Sequence, residues 1–204
     1  MMGLIHKIIK LEWDEFQGVH NEGGRASCQD DWENFYIFRS CQFEAWSEEL
    51  LRSYYCDLLL AEEKNWNLLT EKYARMMEST APEEYEKLRD KLPPISEHKY
   101  MLIDKIVQIQ VQWEAEFCKS FPKLAGQGRP INSAEDQDAI TSFETYLKGE
   151  LKTYSESTIK LYYEYVERLK DEEKNISLMI MENTVRAQGY DSMESAEKSI
   201  EKYL

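Results

Sequence analysis

This sequence predicts an all-α fold: an internally duplicated helical bundle whose two pseudo-symmetric copies pack as one domain. Three observations predict it. Apolar residues recur at spacings of three, four and seven, and no run of four to eight residues alternates as a strand does. Only five Pro and eight Gly occur in 204 residues, most of them between periodic segments. Landmarks also repeat: Phe43-Glu44-Ala45-Trp46 and Leu51-Arg52-Ser53-Tyr54 return as Phe143-Glu144-Thr145-Tyr146 and Leu151-Lys152-Thr153-Tyr154, an offset of 100 (143 − 43). Gly24-Arg25 recurs as Gly128-Arg129 and Met77-Glu78-Ser79-Thr80 as Met181-Glu182-Asn183-Thr184, both at 104 (128 − 24, 181 − 77). Ordered landmarks at nearly one spacing are the signature of a repeat.

The elements follow in order. Ile5, Ile8, Ile9, Phe16 and Val19 form a helical stripe that also carries Glu12. Ile103, Ile106, Val107 and Phe117 form its counterpart, with Gln110 at the place of Glu12 (110 − 12 = 98); Trp13 and Trp113 match at 100 instead, a slip of two. Glycine-bearing stretches, 21–31 and 124–130, then read as loops, because paired glycines end helices and permit positive φ. A long helical segment is predicted from Trp32 to Asn65, with Phe43, Trp46, Leu50, Tyr54 and Leu58 in register, and its partner from Gln137 to Glu173. Fourth helices are expected at Leu68–Ser79 and Ile176–Ala187. Thr80-Ala81-Pro82-Glu83 has the form of a capping box opening a short helix to Lys91, and Ser96 is an N-cap for the helix after it. The organisation expected is a single domain over 1–204, with copy one at 4–92, a linker at 93–96 and copy two at 97–204.

Composition narrows the function. Charged residues make up 31% and apolar ones 42%, which suits a folded protein. A formal net charge of −14 opposes binding to nucleic acid or an anionic membrane, which Lys and Arg must neutralise. Cys28, Cys41, Cys56 and Cys118 show no CxxC spacing, and no apolar run reaches membrane length, so a reduced, soluble, cytoplasmic chain is expected. His6, His20 and His98 are scattered, without HExxH or Glu-x-x-His, and no metal or cofactor is expected. Glu44 and Glu48, one helical turn apart, could supply an all-oxygen Mg²⁺ site, but Glu48 maps onto Lys148, so the pair is not repeated and a solvated helix face is the plainer reading.

Polar residues that repeat are the candidates for chemistry. Arg25 and Arg129 follow Gly24 and Gly128, and a guanidinium fork beside exposed backbone N–H groups suits a carboxylate or phosphate. Asn21 and Glu22 lie in the first of these loops; Gln110 and Trp113 lie on the second copy's first helix. Each arginine equally fits a tie between its loop and a neighbouring carboxylate such as Glu44 or Glu144. Glu12, Glu44 and Glu144 are acid/base candidates, since a carboxylate on a buried stripe needs a partner or a raised pKa; each also fits a buried ion pair that locks the fold. Cys28 beside Arg25 is a candidate nucleophile, or a small packing residue. Trp13, Trp46, Trp113, Tyr54, Tyr146 and Tyr154 read as core, with one or two of them at a pocket rim.

Asn21-Glu22-Gly23-Gly24-Arg25-Ala26-Ser27-Cys28-Gln29, Gln42-Phe43-Glu44-Ala45-Trp46, Glu71-Lys72-Tyr73-Ala74-Arg75-Met76-Met77 and Thr141-Ser142-Phe143-Glu144-Thr145-Tyr146 together resemble a bacterial domain-of-unknown-function family, number 4125. The resemblance runs from about Ile5 to Glu197. It implies a bacterial, cytosolic, single-module protein and supplies no reaction, ligand or catalytic residue. Two functions are therefore open: a small anionic metabolite bound between the copies, with or without catalysis, or a non-enzymatic helical module that binds a protein, including a second copy of the chain. Convergence of Arg25, Arg129, Glu44 and Glu144 on one concave site would favour the first; dispersal with an exposed apolar patch would favour the second.

Overall fold

The computed structural model describes residues 1–20, 24–137 and 140–200. Eleven α-helices lie within them: α1 Met2–Gln17, α2 Trp32–Glu44, α3 Glu48–Glu63, α4 Leu68–Thr80, α5 Pro82–Leu88, α6 Glu97–Ser120, α7 Pro122–Ala125, α8 Phe143–Thr153, α9 Glu156–Asp171, α10 Ile176–Ala187 and α11 Met193–Ile200. Among the described residues no strand forms; an isolated bridge joins Gln137 to Ile140. The all-α class is as the sequence predicts.

Short polar residues set the starts. Side chains of Asp31, Ser47, Asn67, Ser96, Ser142, Ser155 and Asn175 each accept a backbone N–H three residues on, which satisfies a donor that the first turn leaves unpaired. Asn65 and Glu173, just beyond α3 and α9, both take positive φ, 52° and 54°. Such a conformation stops a helix, and it is unusual for a glutamate.

Two sequence expectations need correction. The segment 32–65 is two helices, because the chain leaves α2 at Ala45 and Ser47 caps α3; its partner breaks likewise at Tyr154-Ser155. Phe43 therefore lies in the last turn of α2, fully buried, whereas Phe143 is the first, half-buried residue of α8, so the landmarks 100 residues apart hold different helix positions. Likewise, Thr80 is no cap. It is the last residue of α4, its hydroxyl bonds back to the Met76 carbonyl at 3.3 Å, and Ala81 precedes α5 without a side-chain cap.

The helices pack in a reciprocal pattern. α1 lies against α2, α3 and α4, and α6 lies against α8, α9 and α10. α3 meets α9, while α4 packs on α8 and α10 packs on α2. One core joins Ile5, Ile8, Ile9, Leu50, Leu51 and Tyr54 to Ile103, Ile106, Val107, Ile159, Tyr162 and Val166. A smaller cluster of Phe117, Leu124, Val185 and Ala196 seats α7 and α11. α4 and α8 approach most closely at Gly149, where a Cβ would stand 2.6 Å from Met76 Cγ and 3.1 Å from the Lys72 carbonyl.

Candidate functional site

At the meeting of α1, α2, α3, α4 and α8, four charged side chains are buried together. Arg39 Nε donates to Glu12 Oε2 at 2.7 Å and its Nη2 to Glu12 Oε1; the other edge of the same guanidinium reaches Glu150 Oε1 at 3.3–3.4 Å. Lys72 Nζ donates to Glu150 Oε2 at 2.5 Å. Tyr54 donates to Glu12 and Tyr154 to Glu150, each at 2.7 Å. Two cations face two anions, so the cluster is neutral as a whole. Burial works against the charged Glu150, but Lys72 and Arg39 outweigh it and hold this carboxyl well below the usual range. Burial also opposes charge on Arg39 and Lys72; Glu12 with Glu150, and Glu150 with Tyr146, reverse that and raise both. The two phenols are pushed far up by burial and the neighbouring carboxylates.

Beside the cluster is a cavity of about 40 Å³, walled by Phe35, Leu68, Tyr73, Tyr146 and Thr153. That volume suits ordered water and excludes a metabolite. Lys72 Nζ sits 3.6 Å from the centroid of Tyr146, and Arg129 lies 4.7 Å from the same ring.

Leu68 and Thr153 also wall a second, open cleft of about 430 Å³, the size of a small-molecule site. It lies between α3 and α4 on one side and the Pro93-Pro94 linker, α6 and the α8–α9 corner on the other. Most of its polar groups are engaged. Arg75 Nε donates to Glu71 Oε1 at 2.7 Å and its Nη2 to the Pro93 carbonyl at 2.7 Å; Trp66 Nε1 bonds Glu71. Asp57 accepts the Ser155 N–H at 2.9 Å, and Lys152 pairs with Glu78. Lys99 differs: its ammonium donates to the Lys152 carbonyl at 2.8 Å, and among the described contacts it makes no ion pair. Burial, with Arg75 adding to it, lowers its pKa to about 8.

The residues singled out from sequence are dispersed. Glu12 is in the cluster, and its stripe position made it legible. Arg25 is held by Asp30, by Gln17 and by the Gln29 carbonyl, and not by Glu44. Arg129 donates to the Thr141 carbonyl at 3.0 Å. Glu144 accepts the Ser133 N–H at 2.8 Å and Lys148 at 2.7 Å, tying down its loop, and these bonds outweigh burial to lower its pKa. Glu44 lies exposed beside Asn183 and Arg186 of α10. Glu48 begins another helix and pairs with Arg52. Gln110 is buried on the Tyr162 hydroxyl at 3.1 Å, and the carbonyl of buried Trp113 accepts from Asn175. Gly24 has φ 87°, whereas Gly128 donates its N–H to the Ala125 carbonyl. Cys28 is exposed in the 3-10 turn Ser27–Asp30. Asn21 and Glu22 lie outside the described residues. Among the described residues, no group of three or more His, Cys, Asp or Glu could hold a metal ion. Arg39, Lys72, Glu150 and Lys99 went unnoticed in sequence; the available signal was charge on an apolar stripe, as in Leu68-x-x-x-Lys72-x-x-x-Met76.

No helix among the described residues is long and apolar enough to cross a membrane. Searches of curated proteins and of solved structures give no match to the chain. The family model described as Protein of unknown function (DUF4125) matches residues 2–198, and the chain belongs to that family.

Proposed function

We propose that the chain is a duplicated helical unit packed as one domain, and that it binds a small anionic molecule in the cleft beside Lys99. Support for the duplication comes from an offset of 108 rather than 100 beyond the first helix. Ser47 and Ser155 cap equivalent helices, and Asn65 and Glu173 share positive φ (155 − 47, 173 − 65). Asn67 and Asn175 each cap a helix while donating from Nδ2 to a carbonyl of Glu15 and of Trp113 (175 − 67, and 113 − 15 = 98). Tyr54 on Glu12 and Tyr162 on Gln110 match in the same frame. So do two grooves of about 380 Å³ each: Arg75, Glu78, Tyr100 and Lys152 in one stand where Asn183, Arg186, Met2 and Glu44 stand in the other.

That pairing makes the cations of the cleft one-sided, since Lys99 answers to Met1, Arg75 to Asn183 and Lys152 to Glu44. The observation that carries the reading is Lys99 itself, an ammonium in a ligand-sized cleft whose hydrogen bond goes to a carbonyl. An anion there would complete its ion pair and gain from the neighbouring Arg75 and Lys152. Thermal melts with inorganic phosphate, pyrophosphate, citrate and ATP test it. An occupant of the folded state at ~100 times its Kd adds about 2.7 kcal/mol, a rise of several degrees for a chain of this size. The rise should vanish in Lys99→Met and persist in Lys10→Ala, on the exposed face of α1. A wild-type melt that none of the four moves would overturn the reading.

A further inference from the structure

We propose that Lys99 is a nucleophilic amine, which condenses with the carbonyl carbon of an anionic aldehyde or α-keto acid held in the cleft. The inference rests on the binding reading above and adds the substrate class.

Its basis is the placement of one side chain. Lys99 lines a 430 Å³ cleft, and the Lys152 carbonyl, 2.8 Å from its nitrogen, orients the amine without neutralising it. The charged groups around it come from every packed element. They are Asp57 on α3, Lys64 just beyond it, Glu71 and Arg75 on α4, Lys152 on α8 and Glu156 on α9. Three of the carboxylate and guanidinium groups are already committed: Glu71 and Arg75 to each other, and Asp57 to the Ser155 N–H. Glu156 bonds His98 at the surface. Burial, with Arg75, outweighs the opposing pull of Glu71, Asp57 and Glu156 on Lys99, and its pKa of about 8 keeps a substantial neutral fraction at pH 7.5. An ordinary lysine near 10.4 holds on the order of a hundredfold less free amine at that pH. Arg75 and Lys152 line the same cleft and, while bonded to Glu71, the Pro93 carbonyl and Glu78, would favour the carboxylate or phosphate of the substrate by their charge.

The step balances without redox chemistry. The neutral Nζ lone pair forms a bond to the carbonyl carbon while the C=O π pair moves to oxygen, which takes up a proton. The nitrogen sheds a proton, for which the Asp57 carboxylate in the same cleft offers a carrier. Loss of water then breaks the C–O bond and leaves a C=N bond to Lys99.

The test uses the wild-type chain with glyoxylate as probe and sodium cyanoborohydride, which delivers hydride to the iminium carbon and fixes the adduct. Peptide mass mapping at pH 7.5 should find Lys99 modified at least about tenfold faster than the average exposed lysine, with a rate that saturates in glyoxylate. Phosphate should slow it by competition. Lys99→Arg keeps the charge and cannot form an imine, so it should keep the thermal shift with phosphate and lose the adduct. Labelling spread evenly over exposed lysines, or labelling of Lys99 that rises linearly without saturating, would overturn the imine. In that event a surviving phosphate shift leaves the binding reading standing, while loss of the shift as well removes both.

Discussion

Replacing Lys72 and Glu150 separately and together should expose a strong coupling between them. Both are almost fully buried and bonded at 2.5 Å. Glu150→Gln leaves Lys72 as a buried ammonium without an anion, and breaking such a pair from one side costs about 3–5 kcal/mol. Lys72→Ile is milder, toward the low end of that range, because Arg39 and Tyr154 still serve Glu150. The double change Lys72→Ile/Glu150→Gln installs the pair found at the equivalent positions of the proposed duplication, Ile180 and Gln42. It should lie within about 2 kcal/mol of the wild type, because a buried ion pair exchanged for neutral side chains is often tolerated. The single costs then sum to well above the double, a coupling of at least about 2 kcal/mol. Urea denaturation followed by circular dichroism at pH 7 measures all four corners. The pH must be fixed with the signs in mind. Glu150 has a depressed folded pKa, so its contribution is present above about 4.5 and is lost as acid carries the pH through the folded value. Lys72 is raised, so its contribution is present below about 10.5 and is lost only in stronger alkali. Neither limb intrudes at pH 7. Additive single effects, or a double variant less stable than either single, would refute the claim that these two charges compensate each other.

Two further outcomes follow from the same helices. Glu15 caps the start of α4 through the Leu69 N–H at 3.3 Å, and burial lifts its pKa to about 7 against the pull of the Leu68 and Leu69 N–H groups. A raised folded value means stability is full below about 4.5 and falls as pH rises through 7, by at most about 3–4 kcal/mol at 1.36 kcal/mol per unit; Glu15→Gln should flatten that slope between urea midpoints at pH 5 and pH 8, and an unchanged slope would sink the assignment. Gly149→Ala should cost about 1–3 kcal/mol, because its Cβ would stand 3.1 Å from the Lys72 carbonyl, which cannot move aside as Met76 can. A melt of Gly149→Ala that matches the wild type would mean that α4 and α8 do not approach so closely.

What sequence revealed, and what it hid, has a physical pattern. Helical periodicity and short polar caps are local signals, and they located α1, α4, α6 and α10 with Ser96 as a cap. The break at Ala45–Ser47 was hidden because apolar spacing continues across it: Phe43, Trp46, Leu50 and Tyr54 keep a helical phase although the chain turns. That same continuity made Phe43 and Phe143 look equivalent, although one lies in the last turn of α2 and the other opens α8. Glu12 was legible as a charge on an apolar stripe. Its partners were not, because Arg39 and Glu150 come from separate helices 111 residues apart and only packing unites them. Arg25 and Arg129 drew attention by repeating, yet each ends on groups within its own neighbourhood.

The one-sidedness of the buried charge bears on what the cluster is for. On the proposed pairing, Arg39, Glu71 and Lys72 answer to Leu147, Met179 and Ile180, and Glu12 and Glu150 to Gln110 and Gln42, so one side of the bundle closes this contact with neutral side chains where the other uses ions. On that proposed pairing, helix contacts of this kind close without the charges. Desolvating charges carries a penalty that apolar packing does not, so on this argument the ions serve geometry rather than stability. α4 supplies the link. Lys72 faces the cluster, while Glu71 and Arg75, on the adjoining face of the same helix, line the cleft. Leu68 and Thr153 form the wall common to both cavities. Holding Lys72 on Glu150 fixes the rotation and depth of α4 against α8, and so fixes where Arg75 stands across from Lys99. The double variant described above separates fold from site on this argument. Its stability should survive while the phosphate-induced rise in melting temperature shrinks, because the wall would remain apolar and closed but lose the ion pair that sets its register. A stable double variant with an undiminished shift would confine the cluster to packing and leave the cleft to act alone.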